Sequence, residues 1–129
     1  MLKIKQREVY GAVVVDVIGN LMGGPGPDSK KFHDAIKTPL GEGKKRIVVN
    51  LRKVTWANSL GIGLLIGAFT SVKNAGGEMV LTHVTDRINS VFITTQLNRV
   101  FTTFDSEDEA VKYLMENEET RDPTSASTA

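Results

Sequence analysis

The pattern of apolar runs predicts an α/β fold: a single domain whose mixed, largely parallel sheet of about five strands packs with about four helices. Two β-branched runs, at residues 12–18 and 47–51, are almost uninterrupted by polar residues, as expected of strands buried on both faces. Segments with apolar residues at helical spacing separate the later strands, so those strands need crossovers and lie parallel. Glycine and proline mark the boundaries between segments.

Residues 2–8 read as a first strand with Leu2, Ile4 and Gln6 on one face. Tyr10-Gly11 turns the chain into a second strand, residues 12–18, and the two pair as a hairpin. Gly19-Asn20 ends it, and residues 23–28, with two prolines and three glycines, read as loop. Asp28 or Ser29 is the expected cap of a first helix carrying Phe32, Ala35, Ile36 and Leu40, closed by Pro39 and Gly41. A central strand at 47–51 leads through residues 52–58 into a helix from Leu60 to about Lys73, stopped by Asn74-Ala75-Gly76-Gly77. Residues 79–81 form the next strand. Residues 86–96 read as a helix with Ile88, Val91, Phe92 and Thr95 inward, and residues 100–104 as a short strand. Ser106-Glu107-Asp108-Glu109 opens a last helix through Met115 as a capping box, with Ala110, Val111 and Leu114 buried. The folded domain is expected over residues 1–116, and the aperiodic polar stretch 117–129 as a disordered tail.

The totals exclude several classes of function. Sixteen basic and 15 acidic residues leave a formal charge of +1, so there is no bulk attraction to nucleic acid or to a membrane surface. The absence of cysteine removes disulfides, thiolate metal sites and cysteine nucleophiles, and is compatible with a reducing compartment. No stretch approaches the roughly 18 apolar residues of a membrane span, and Met1-Leu2-Lys3-Ile4-Lys5 alternates charged with apolar residues, unlike a signal peptide. The cytoplasm is the expected location. The two histidines, His33 and His83, lack ligand spacing, so no metal site is expected. Charge is unevenly distributed: Lys30 to Lys53 carries a balance of +6, and Asp105 to Glu119 one of −6. Either these are solvated faces, or the basic flank helps hold a phosphate or an acidic partner.

The segment Val54-Thr55-Trp56-Ala57-Asn58-Ser59-Leu60-Gly61-Ile62-Gly63-Leu64-Leu65-Ile66-Gly67 joins the central strand to a helix. Asn58 and Ser59 both suit the N-cap, and on that reading Ser59 is only a cap. The glycines at 61, 63 and 67 each cost a helix up to about 1 kcal/mol relative to alanine. They fit either very close packing on the sheet or a backbone left open to something outside. A phosphate on Ser59 would lie at the positive end of the helix and add about −1.5 to −2 charges to the surrounding surface. The order Asn58-Ser59-Leu60-Gly61 is no nucleophile elbow, although a hydrolase that recruits His83 to Ser59 stays open. The loop at Gly23 to Asp28 does not fit a phosphate-binding P-loop, since its prolines lack N–H donors.

Val48-Val49-Asn50-Leu51, Val54 and Asn58-Ser59-Leu60-Gly61-Ile62-Gly63 together resemble the signature of STAS domains, specifically the anti-sigma factor antagonists. In that family an apolar strand is followed by Asp-Ser-Ser-Gly-Leu-Gly and an apolar helix. Gly76-Gly77-Glu78-Met79-Val80-Leu81 continues the resemblance, as do Val91-Phe92, Thr95, Leu97, Val100-Phe101 and Phe104, so that it covers about residues 2–116. The resemblance implies a binding module rather than an enzyme, without cofactor, metal, nucleic acid contact or membrane insertion. It implies that Ser59 accepts phosphate from an anti-sigma factor that is itself a serine kinase. The unmodified protein would bind that kinase and free the sigma factor, and a metal-dependent phosphatase would reset it. The implied partner surface is Asn58, Ser59, Leu60, Gly61 and Ile62, with contacts from Gly24 and Gly26 in the preceding loop. Asn58 and Leu60 depart from the family Asp and Ser. The alternative is a STAS subunit of a signalling scaffold or a membrane-transporter complex, without phosphorylation.

Overall fold

β-Branched side chains fill nearly every position from Ala12 to Ile18, so neither face of that strand can be left to water. The computed structural model describes residues 2–24 and 26–120, with side chains as far as residue 116, and encloses this strand within the sheet. Strand β1 (Lys3–Val9) runs antiparallel to β2 (Ala12–Ile18), and β3 (Arg46–Lys53), β4 (Glu78–Thr82) and β5 (Thr103–Phe104) follow in parallel, in the order β1-β2-β3-β4-β5. The pairing aligns Val13, Ile47 and Met79 on one face and Val14, Val48 and Val80 on the other.

The two faces are covered unequally. Helices α1 (Pro27–Gly41), α2 (Ser59–Asn74) and α3 (Asp86–Thr94) bury Phe32, Ile36, Leu65, Val72, Ile88 and Phe92 against the first face. Among the described residues helix α4 (Glu107–Thr120) alone covers the second, where Ala110, Val111 and Leu114 meet Ala12, Val14, Val48 and Val80. The expected α/β class, hairpin and parallel crossovers are therefore all present.

Several expected boundaries move. Helix α1 begins at Pro27, not after an Asp28 or Ser29 cap, because proline's fixed φ and missing N–H suit the first helical position. Ser29 instead grips the loop, donating to the Gly24 carbonyl at 2.6 Å and accepting from the Gly24 N–H at 3.2 Å. Pro39 lies inside the last turn of α1. Helix α3 stops at Thr94, since Gln96 turns left-handed at φ 63°, and Thr95 is exposed with its hydroxyl folded back onto the Val91 carbonyl at 2.7 Å. A 3-10 turn, Leu97–Arg99, follows, so only Thr103–Phe104 remains of the strand expected at 100–104. The expected boundary at residue 117 falls within α4, and residues 121–129 lie outside the described residues. At the start of α4, Ser106 accepts from the Glu109 N–H at 3.2 Å while Glu109 returns to the serine hydroxyl at 3.0 Å.

Candidate functional site

Strand β3 ends on the side of the sheet where an open α/β fold presents its loops, and the chain crosses from there into α2. Val54 is buried and anchors the crossing, its carbonyl accepting from the Thr85 hydroxyl at 3.0 Å. Ala57 then forms a parallel bridge with Leu21, reinforced by Leu21 N–H to the Trp56 carbonyl at 3.0 Å and Asn58 N–H to the Leu21 carbonyl at 3.1 Å. The loops after β2 and β3 are thus joined by backbone bonds before α2 begins.

Asn58 settles the capping question. Its Oδ1 accepts from the Gly61 N–H at 2.7 Å and from the Gly23 N–H at 3.1 Å, so one side chain caps α2 and holds the preceding loop against it. Ser59 consequently occupies the first helical position, is exposed, and its hydroxyl has no hydrogen-bond partner among the described residues. There is no acidic residue in the first turn of α2, so the positive end of the helix dipole is not offset by a carboxylate of that turn.

Two glycines are required by the same junction. A side chain at Gly61 would overlap the Leu21 carbonyl, and one at Gly23 would come within 2.5 Å of the Leu60 carbonyl. Gly24 and Gly26 have φ of 135° and 126°, a region that favours glycine. The close approach turns Leu60 outward at 58% exposure beside Gly24, with Met22 and Trp56 also half-exposed nearby in the two joined loops. The Arg87 guanidinium of α3 covers the Trp56 ring at 5.4 Å.

Of the residues singled out in the sequence, Asn58, Ser59, Leu60 and Gly24 come together around the start of α2, whereas Gly26 caps α1 and an added Cβ there would meet nothing within 4 Å. Gly61 and Ile62 belong to the same junction but are buried, so they shape the surface from beneath and do not form it. Met22, Gly23 and Arg87 are additional. Gly23 and Met22 carry no pattern that separates them from other loop residues, and Arg87 arrives from a distant helix. Trp56 exposes nearly half its surface. Among the described residues no three His, Asp or Glu side chains cluster to hold a metal.

The STAS domain family model matches residues 3–110, most of the chain. This protein belongs to the STAS domain family. Among solved structures, the STAS domain resembles an anti-sigma factor antagonist from Mycobacterium paratuberculosis at 16% identity and a TM-score of 0.73, covering 89% of this chain and 95% of that one. It resembles the phosphorylated form of the Bacillus cell fate determinant SpoIIAA at 20% identity and a TM-score of 0.66, covering 86% and 98%. A sulfate transporter family protein from Wolinella succinogenes is equally similar, at 19% identity and a TM-score of 0.73, covering 87% and 91%. At these identities the likeness is one of fold. The STAS domain has anti-sigma factor antagonists among its structural neighbours, and no helix among its described residues is long and apolar enough to cross a membrane.

Proposed function

We propose that this STAS domain is a cytoplasmic anti-sigma factor antagonist, a binding module without catalytic activity that switches partners through phosphate on Ser59. The observation that carries the reading is the division of labour between Asn58 and Ser59. Asn58 caps the helix, which leaves the Ser59 hydroxyl exposed, unpartnered and at a positive helix end. Because Asn58 holds the cap, modification of Ser59 would leave that capping bond in place.

The unmodified surface offers Leu60, Met22 and Trp56 around Ser59 to an anti-sigma factor that is also the serine kinase. That complex frees the sigma factor. Phosphate then places about two negative charges amid those apolar groups, where the partner would have to desolvate them, and the complex separates. A metal-dependent phosphatase restores the hydroxyl. Asn58 and Leu60, in place of the family Asp and Ser, leave the acceptor without a neighbouring carboxylate and with a larger apolar contact.

The likeness to a sulfate transporter family protein favours a second reading, a subunit of a transporter or scaffold complex that is not phosphorylated. Affinity capture from the native host with unmodified protein and with Ser59→Glu separates the two. Retention of an ATP-binding serine kinase by the unmodified form, and its loss with Ser59→Glu, is the expected result. Retention of one non-kinase partner by both forms would replace switching with the scaffold reading.

A further inference from the structure

A groove of about 760 Å³ runs along the outer side of β1, between that strand and α1, and shares no lining residue with the surface around Ser59. Its walls include Leu2, Ile4, Gln6 and Ala35, and its rim carries Lys3, Lys5 and Lys31 together with Asp34, with Lys31 already donating to the Leu2 carbonyl at 3.1 Å. Among the described residues strand β1 pairs only with β2 and so forms one edge of the sheet, with a row of main-chain donors and acceptors facing outward. Its side chains alternate. Lys3 and Lys5 lie opposite Ile18 and Asp16, on the face covered by α4, whereas Ile4 lies opposite Val17, on the face covered by α1. Lys3 and Lys5 make no close ion pair among the described residues, while the third cation of that row, Arg7, is held by Asp16 and Glu107.

We propose that the β1 edge and its groove receive an extended acidic segment of a partner protein, added to the sheet as a further strand. Alternate carboxylates of that segment would meet Lys3 and Lys5, and the intervening apolar side chains would fill the groove over Ile4 and Ala35. Lysines on an edge strand also discourage sheets from joining edge to edge, which accounts for the charges but not for the apolar groove beside them.

A second copy of the chain fits this edge poorly. Two-fold antiparallel pairing of β1 with itself sets odd-numbered residues opposite odd-numbered ones, since opposed side chains must share a face. Lys3, Lys5 and Arg7 would then confront one another, and like charges directly opposite destabilise a sheet. An acidic strand reverses that sign. This inference is independent of any role for Ser59.

The test is fluorescence anisotropy with a labelled peptide of sequence Glu-Val-Glu-Val-Glu-Val-Glu at low salt. Saturable binding is expected, weakened by about tenfold or more in Lys3→Glu/Lys5→Glu. Lys45→Glu/Lys53→Glu, at a different basic stretch, should bind as the unaltered protein does. A second peptide with Pro for each Val keeps the charge but loses N–H donors, and should not bind. Equal binding of the two peptides would reduce the effect to charge and overturn strand addition. So would an affinity indifferent to Lys3→Glu/Lys5→Glu, equal loss at the Lys45 and Lys53 pair, or no saturation at millimolar peptide. Sedimentation of the free protein as a dimer strengthened by Lys5→Glu would assign the edge to a second copy and likewise overturn the proposal.

Discussion

Asn58 and Ser59 are neighbours of similar capping ability in sequence, yet the fold gives them different tasks. Which one caps depends on where Leu21 and Gly23 arrive, and that is set by the parallel bridge of Leu21 with Ala57, a contact between distant segments. Capping preference could therefore name both residues but not choose between them. The consequence is measurable by urea denaturation. Asn58→Ala removes the acceptor of two N–H groups and should cost about 1–2 kcal/mol. Ser59→Ala should change stability by less than about 0.5 kcal/mol, because the hydroxyl bonds to nothing among the described residues. Equal losses for the two would mean that Ser59 shares the cap, and would weaken its candidacy as a free acceptor.

At the scale of elements, legibility follows burial. Strands β2 and β3 stood out because burial on both faces leaves almost no position for a polar residue, and the hairpin and crossovers followed from element order. Strand β5 is shorter than its apolar run suggests because only Thr103–Phe104 pairs, while Val100 and its neighbours coil with apolar side chains that resemble strand composition. The left-handed Gln96 that ends the preceding helix segment carries no residue-type signal. The glycines of α2 are the most instructive case. They form one pattern in sequence but divide in the structure, since Gly61 abuts the Leu21 carbonyl whereas Gly63 and Gly67 meet nothing within 4 Å of an added Cβ. Close packing is thus found at Gly61, against the loop after β2 and not against the sheet, and an open backbone at Gly63 and Gly67. Gly61→Ala should destabilise by about 3 kcal/mol or more, because backbone must move. Gly63→Ala should stabilise by about 0.5–1 kcal/mol by narrowing the unfolded chain's freedom. Thermal unfolding of the two variants reads both signs, and stabilisation by Gly61→Ala would contradict the close helix–loop packing.

For the whole molecule, the uneven covering of the sheet creates a dependence on one charged clamp. Among the described residues three helices seal one face and α4 alone the other, and nothing in the helical periodicity of the sequence says which helix goes to which face. At the exposed end of that second face Arg7 of β1 binds Asp16 of β2 at 2.7 and 3.0 Å and Glu107 of α4 at 2.7 Å, so one guanidinium ties the hairpin to the helix. Asp16 also accepts from the Asn50 side chain at 2.8 Å. The Arg7 hydrogen bonds, aided by Asn50, hold the Asp16 carboxyl below its ordinary value of 3.8, against the opposing effect of partial burial. A carboxyl that is more acidic in the folded than in the unfolded state binds fewer protons when folded, so its contribution rises with pH across the interval between the two values. That contribution is complete above the ordinary value of 3.8 and is lost as pH falls through the lowered folded value. Urea midpoints measured between pH 7 and pH 2 should accordingly hold steady near neutrality and fall in the acid limb. Arg7→Met should lower stability at neutral pH by about 1–2 kcal/mol, the modest figure reflecting partial exposure of the pair, and should flatten the part of the acid limb that belongs to Asp16. An acid limb identical in the two proteins would mean that Arg7 does not set the acidity of Asp16, and that α4 is held on its face by apolar packing alone.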